Sequence, residues 1–94
     1  EIGMPCADGE KFAVAEAVAA AFRDDYEVSE VDGARIEFGD GWAHVRASNT
    51  NPYLSVRFEA ETRERFAEIR ALLWKVLRAH PTVTIPDGAG EPVP

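Results

Sequence analysis

The sequence predicts an α+β domain: an antiparallel sheet of about four strands with two helices packed on one of its faces. Three observations predict it. Two stretches, one near each end, carry apolar residues at helical spacing. Between them lie short runs in which apolar and polar residues alternate. Turns of glycine and small polar residues join those runs, and the alternation marks a sheet covered on one side only. Helices flanking a strand meander make a two-layer fold in which both helices cover the apolar face of the sheet.

The elements follow in order. Glu1 to Pro5 reads as the end of a strand. "ADGEKFAVAEAVAAAF" reads as a helix, with Asp8 as N-cap and Glu10 suited to the positive end of the macrodipole. Phe12, Ala15, Val18, Ala19 and Phe22 form its apolar stripe. "YEVSEV" alternates, and Asp32-Gly33 is a two-residue hairpin signal leading into "ARIEF". Gly39 to Gly41 turns the chain into "WAHVRAS". "YLSVRFEA" follows, with Leu54, Val56, Phe58 and Ala60 on one face and polar partners on the other. Thr62 caps the second helix, whose stripe runs through Phe66, Ile69, Leu72, Leu73, Val76 and Leu77. Trp74 lies off that stripe and reads as outward-facing. Pro81 ends the helix. Residues 1–80 form the domain, and 81–94 a tail rich in Pro and Gly that reads as irregular or mobile.

Composition bounds the function. Ninety-four residues make one domain without room for a deep enclosed active site. Ten Lys+Arg against seventeen Asp+Glu give a net charge of −7, a field that repels nucleic acid. A small anion still binds where a local basic group outweighs that field. No apolar run approaches the ~20 residues of a membrane helix, and no signal peptide opens the chain. Cys6, the one cysteine, excludes an internal disulfide and reads as a partly buried small apolar residue. The chain begins in mid-pattern at Glu1, as an excised piece of a larger protein would.

The chemistry concentrates in "VRASNTNP", Val45 to Pro52. Period two puts Trp42, His44, Arg46 and Ser48 on one side of their strand, away from the helices. Arg46 offers a planar fork that grips two oxygens of a phosphate or carboxylate. Ser48, Asn49 and Thr50 add hydroxyl and amide donors, and turn N–H groups can join them as a nest. Pro52 stiffens the exit. Two readings stay open on the residues alone: a turn whose polar groups serve its own backbone, or an oxyanion site. Without a Lys or P-loop glycine spacing it is no nucleotide cradle. His44 and His80 lack a third metal ligand at suitable spacing, although His44 shares Arg46's face and can see a ligand. Asp32, Asp40 and Asp87 each precede glycine and read as turn residues. Trp42 and Tyr53 flank the loop on the open face and suit packing against another domain.

"DGARIEF", then "GDGWAHVRASNTNPYLSVRFEAET", closely resembles the C-terminal domain of bacterial phosphomannomutase/phosphoglucomutase, of the α-D-phosphohexomutase superfamily. The resemblance takes in "KFAVAEAV" and the helix opening "ETRERFAEI", from about residue 1 to 80. It implies a TATA-binding-protein-like fold and a cytoplasmic parent enzyme, an isomerase that moves a phosphoryl group between C1 and C6 of a hexose. It further implies that Arg46, Ser48, Asn49 and Thr50 bind the substrate phosphate that is not being transferred. The implied partners are a hexose phosphate and the other domains of the same chain. A phosphoserine and Mg2+ serve that reaction from outside this stretch, which carries no phosphoserine motif, metal ligands or catalytic residue of its own. A stand-alone interaction module docking through the Trp42/Tyr53 face is the alternative.

Overall fold

The computed structural model describes residues 1–91. Its elements are β1 (Ile2–Pro5), α1 (Lys11–Phe22), β2 (Glu27–Ser29), β3 (Ala34–Glu37), β4 (Gly41–Ala47), β5 (Tyr53–Ala60) and α2 (Arg63–Arg78). The strands form one antiparallel sheet in the order β1-β5-β4-β3-β2. The sheet therefore has five strands rather than about four. The fifth is the short first segment, which pairs with β5 from Ile2↔Val56 to Pro5↔Tyr53.

Alternation decides which face is buried. Val45 sits opposite Ala34 on one side and Val56 on the other, and all three are fully buried under the helices. Ile69, Leu73 and Leu77 of α2 and Val14 and Val18 of α1 meet them in a single core. Each is the kind of side chain whose full burial contributes about 1.5–3 kcal/mol.

Helix α1 departs from expectation at its start. Its inward face runs Lys11, Val14, Ala15, Val18, Ala19, Phe22. Phe12 lies outside that face and is 59% exposed, because Lys11 takes the inward position one turn before Val14 and Ala15. Asp8 is not the N-cap. Glu10 stands there without a side-chain bond. A turn already satisfies the local backbone, since the N–H groups of Glu10 and Lys11 both donate to the Ala7 carbonyl, at 2.9 and 3.0 Å. Asp8 is left to pair with the Lys11 ammonium.

Helix α2 starts as expected, with Thr62 Oγ1 accepting from the Arg65 N–H at 3.0 Å. Trp74 is a correction: it is 2% exposed, set edge-on to Phe58 with ring centres 5.6 Å apart. The Arg70 guanidinium lies 4.9 Å from its ring centre. Leu72 and Val76 are only partly buried. The tail explains the shift. It has no helix or strand as far as Glu91, yet it is tied down rather than mobile. Thr84 N–H donates to the Pro5 carbonyl, Thr82 Oγ1 accepts from Ala7 N–H, and Arg70 Nε donates to the Ala89 carbonyl, all at 2.9–3.0 Å. Val83, Ile85 and Ala89 pack on the core, and Val83 and Ile85 share a crevice with Trp74. A chain segment outside the helix thus covers a side chain that helical periodicity alone turns outward. Cys6 is also more buried than expected, and burial pushes its thiol pKa up. Residues 92–94 of the expected tail lie outside the described residues.

The opposite end of the sheet is fastened by Arg65, whose Nε donates to Asp40 Oδ1 at 2.8 Å, while Glu61 N–H donates to the Asp40 carbonyl at 2.9 Å. The arginine's hydrogen bond holds the Asp40 carboxyl below the usual carboxylate range. A carboxyl depressed by folding stabilises the fold above its unfolded pKa, and that contribution fades as pH falls through the folded value. Asp40→Asn is therefore expected to lower Tm at pH 7 and to begin converging with the unmodified chain once pH falls below about 4. A Tm difference that stays constant from pH 7 to 3 would contradict this.

Candidate anion-binding site at the end of strand β4

The candidate site begins where β4 stops. The Ser48 N–H donates to the Tyr53 carbonyl at 3.0 Å, so residues 49–52 form a closed turn between β4 and β5. Ser48 is buried, 6% exposed, and its Oγ accepts from the N–H groups of Thr50 and Asn51 at 3.3 and 3.1 Å. This is the local side-chain-to-backbone bonding that makes serine a turn former. Neither bond uses the hydroxyl proton of Ser48. Two of the turn's N–H groups are thereby spent, so the expected nest of backbone donors does not form from them. Asn49 N–H has no partner among the described residues. Thr50 Oγ1 accepts from Asn51 Nδ2 at 3.1 Å.

Arg46 stands two residues before the closing Ser48, on the open side of the sheet. Its guanidinium Nη1 is 3.5 Å from Asp32 Oδ2, and its side chain is 47% exposed. Asp32 belongs to the β2–β3 turn, which lies beside the end of β4. Gly33 permits that approach: it has φ +75°, and a Cβ there would fall 2.5 Å from the Val45 carbonyl oxygen and 2.9 Å from Arg46 Cα. Only glycine tolerates both the backbone angle and the crowding. His44 pins the same turn, with Nε2 2.5 Å from the Asp32 carbonyl oxygen. A carbonyl only accepts, so that nitrogen carries the proton. His44 is committed to this contact and does not line the cleft.

A cleft of about 230 Å3 opens between this turn, α1 and the loop, and Arg46, Asn49, Asp32 and Glu16 line it. The structure thus brings Arg46 and Asn49 onto one cavity. Ser48 lies beneath the turn, and Thr50 is exposed on it. Trp42 is half-buried on the open face, with Arg35 at 4.5 Å and Arg57 at 5.7 Å from its ring centre. It is four residues from Arg46, roughly 13 Å along a strand, and is no wall of the site. Among the described residues no group of three or more His, Cys, Asp or Glu is arranged to hold a metal ion, and no helix is long and apolar enough to cross a membrane.

Two residues of the site escaped the sequence reading. Asp32 looked like a turn residue and no more, although its spacing before Gly33 is what brings a carboxylate to Arg46. Lys11 was not among the residues singled out. Its ammonium donates to the Asn51 carbonyl at 3.0 Å. The signal was there, since Lys11 falls three and four residues before the buried Val14 and Ala15.

Fold and loop together define a class: a small α+β domain whose polar equipment sits in one turn at the end of two interior strands. Residues 1–75 match the family model described as phosphoglucomutase/phosphomannomutase, C-terminal domain. The chain belongs to that family. It is 38% identical over 80 residues to a phosphomannomutase/phosphoglucomutase of Pseudomonas aeruginosa, covering 84% of this chain and 17% of that protein. It is 40% identical over 70 residues to a phosphoglucomutase of Neisseria meningitidis, covering 74% and 15%. A solved phosphoglucomutase/phosphomannomutase family protein of Burkholderia thailandensis superposes with a TM-score of 0.66 at 28% identity, covering 84% of this chain and 17% of that one. The chain spans about one sixth of the length of these proteins.

The turn geometry carries its own test. Ser48→Ala strips the acceptor from two N–H groups, which costs about 1 kcal/mol, or a Tm lower by about 4–8 °C for a domain of this size. Hydrogen exchange at Thr50 and Asn51 is expected to speed up before the rest of the sheet does. Unchanged exchange at both amides would show that the hydroxyl does not hold the turn.

Proposed function

We propose that this chain is the substrate-phosphate-binding domain of a phosphohexomutase, an enzyme that interconverts hexose 1-phosphate and hexose 6-phosphate, and that Arg46, Ser48, Asn49 and Thr50 are its phosphate ligands. The observation that carries the reading is the meeting of the Arg46 guanidinium with Asn49 on one open cleft. A guanidinium fork matches two phosphoryl oxygens, the Asn49 amide and N–H donate to a third, and the spare proton of Ser48 and the Thr50 hydroxyl extend the set. The Asp32 pair at Arg46 is long and half-exposed, a contact worth about 0–1 kcal/mol, so a dianion displaces it readily.

The charge of the cleft narrows the ligand class. Glu16, Glu30 and Asp32 surround the single Arg46. That balance rejects polyanions and suits a molecule with one phosphoryl group and a neutral hydroxylated body, whose hydroxyls donate to carboxylates. Phosphoryl transfer itself belongs to the remainder of the parent protein, with its phosphoserine and Mg2+, for which the described residues offer no ligand cluster. The contribution of this domain is to position the substrate, in a cytoplasmic enzyme. The interaction-module alternative gains no support. Trp42 is flanked by guanidinium groups, and the large exposed apolar side chains among the described residues are Phe12 on α1 and Val31 in the β2–β3 turn, neither of them Trp42 or Tyr53.

Inorganic phosphate or glucose 1-phosphate added to the 15N-labelled chain is expected to shift the amides of residues 46–50, with a Kd on the order of 1 mM. Arg46→Ala should abolish the response and leave Tm nearly unchanged, since the side chain is off the core and its ion pair is weak. Shifts that avoid residues 46–50, or that survive the substitution, would refute the assignment.

Asp32→Asn separates two effects. If Asp32 mainly orients Arg46, the variant binds phosphate less tightly. If it mainly opposes the anion, the variant binds more tightly. A dianion about 6 Å from that carboxylate feels a repulsion of about 1.4 kcal/mol in water, roughly halved by physiological salt. Orientation by a pair this long and half-exposed falls at the low end of about 0–1 kcal/mol. Phosphate binding about threefold tighter is therefore expected, with the gain shrinking as salt is raised. Weaker binding by Asp32→Asn would show that orientation wins.

A further inference from the structure

We propose that Lys11 is a positioning residue of the phosphate loop, fixing the Ser48–Asn51 turn from beneath through the Asn51 carbonyl. The proposal rests on the phosphate-binding reading of that loop and extends it to a residue on α1.

Lys11 is the one charged residue among those described as buried, at 2% exposure. A buried ammonium needs compensation, and α1 does not need a lysine there. The position lies on the apolar stripe, where a hydrophobic side chain would pack without desolvating a charge. The ammonium has two partners, Asp8 Oδ1 at 2.6 Å and the Asn51 carbonyl at 3.0 Å. Asp8 alone does not explain the burial, because its carboxylate is 74% exposed and a surface pair would serve it as well. What burial achieves is the reach to Asn51.

That carbonyl is a junction. It accepts from Tyr53 N–H at 2.9 Å as well as from Lys11, so both of its lone pairs are used. The Asn51 N–H in turn donates to Ser48 Oγ at 3.1 Å. The next residue is fixed to the same region, with the Pro52 carbonyl accepting from Cys6 N–H at 2.9 Å. The exit of the loop is thus fastened to residues 6–11 at two points, and Lys11 connects through Asn51 to the serine under the turn. A loop held in its ligand-ready shape loses less entropy when the ligand arrives. Lys11 acts without touching the ligand.

The experiment compares phosphate titrations of the unmodified 15N-labelled chain, Lys11→Met and Lys11→Gln. Lys11→Met fits the buried space and removes the donor. It is expected to weaken phosphate binding about tenfold and to speed exchange at Thr50 and Asn51, while the amide shifts of Val45 and Val56 stay in place. Lys11→Gln keeps a donor for the Asn51 carbonyl without the charge and is expected to restore most of the affinity. Met and unmodified chains that bind within twofold of each other overturn the proposal. So does a Gln variant as weak as Met, which would leave the charge rather than the bond as the cause. Should Lys11→Met fail to fold, the unmodified chain decides. The Lys11 Cε–Hε signal is expected to move with phosphate at the same midpoint as residues 46–50, and a signal that stays still overturns the proposal. If the unmodified chain shows no phosphate response at all, the phosphate-loop reading fails first, which is a distinct result.

Discussion

The register of β4 on β5 is the constraint from which the rest follows. Ala47 faces Leu54 and Arg46 faces Ser55, and the next bond, Ser48 N–H to the Tyr53 carbonyl, closes the turn. Ala47 and Leu54 point into the core, so Arg46 must point out. Side chains alternate with a period of two, so a slip of one residue would send the guanidinium inward and the alanine to solvent. Such a slip would also turn Val45 and Ala43 away from the helices. The hydrophobic burial that stabilises the sheet therefore fixes, at no extra cost, the one direction in which Arg46 is useful.

The neighbouring turn uses the same register. Ala34 pairs with Val45, which carries Asp32-Gly33 to the side of Arg46. Glycine's positive φ and missing side chain let the turn approach the β4 backbone, and His44, two residues before Arg46 on the same face, holds its carbonyl. Two turns that are distant in sequence thereby flank one guanidinium, one contributing a carboxylate and the other an amide. In a chain with net charge −7, an anion site needs such local geometry, because the mean field works against it.

Much of this was legible in the sequence, for identifiable reasons. The alternation in "YLSVRFEA" and the stripe from Ile69 to Leu77 reflect two-sided environments, which leave a period in the residues themselves. The first strand was only half legible, since a four-residue segment carries too few alternations to establish a period and counts as a strand only once it finds β5. Trp74 misled because its cover comes from the tail, a non-local contact that no helical wheel contains. Phe12 and Lys11 exchanged places because a charged residue on an apolar stripe reads as a surface residue until a buried carbonyl is known to await it. In the loop, residue types announced hydrogen bonding, and Arg46 and Asn49 reach the cleft. Whether Ser48 faces ligand or backbone was not readable, since it depends on how the turn closes. It does serve the backbone, and its hydroxyl geometry leaves one donor over.

The two readings of the loop that the residues left open are therefore not rivals. A hydroxyl that accepts two N–H groups makes the turn rigid, and a rigid turn is what an exposed arginine and amide need if they are to hold an anion without a deep pocket. The domain is too small to enclose a ligand, so the anion affinity we propose for it rests on preorganisation rather than on buried area. Preorganisation in turn cannot come from the loop alone. Its exit is anchored to Cys6 and to Lys11 at the start of α1, its entry to β4, and its arginine is flanked by the β2–β3 turn. Three parts of the chain must fold together before the site exists, which makes the site a consequence of the complete fold rather than a property of the eight residues from Val45 to Pro52.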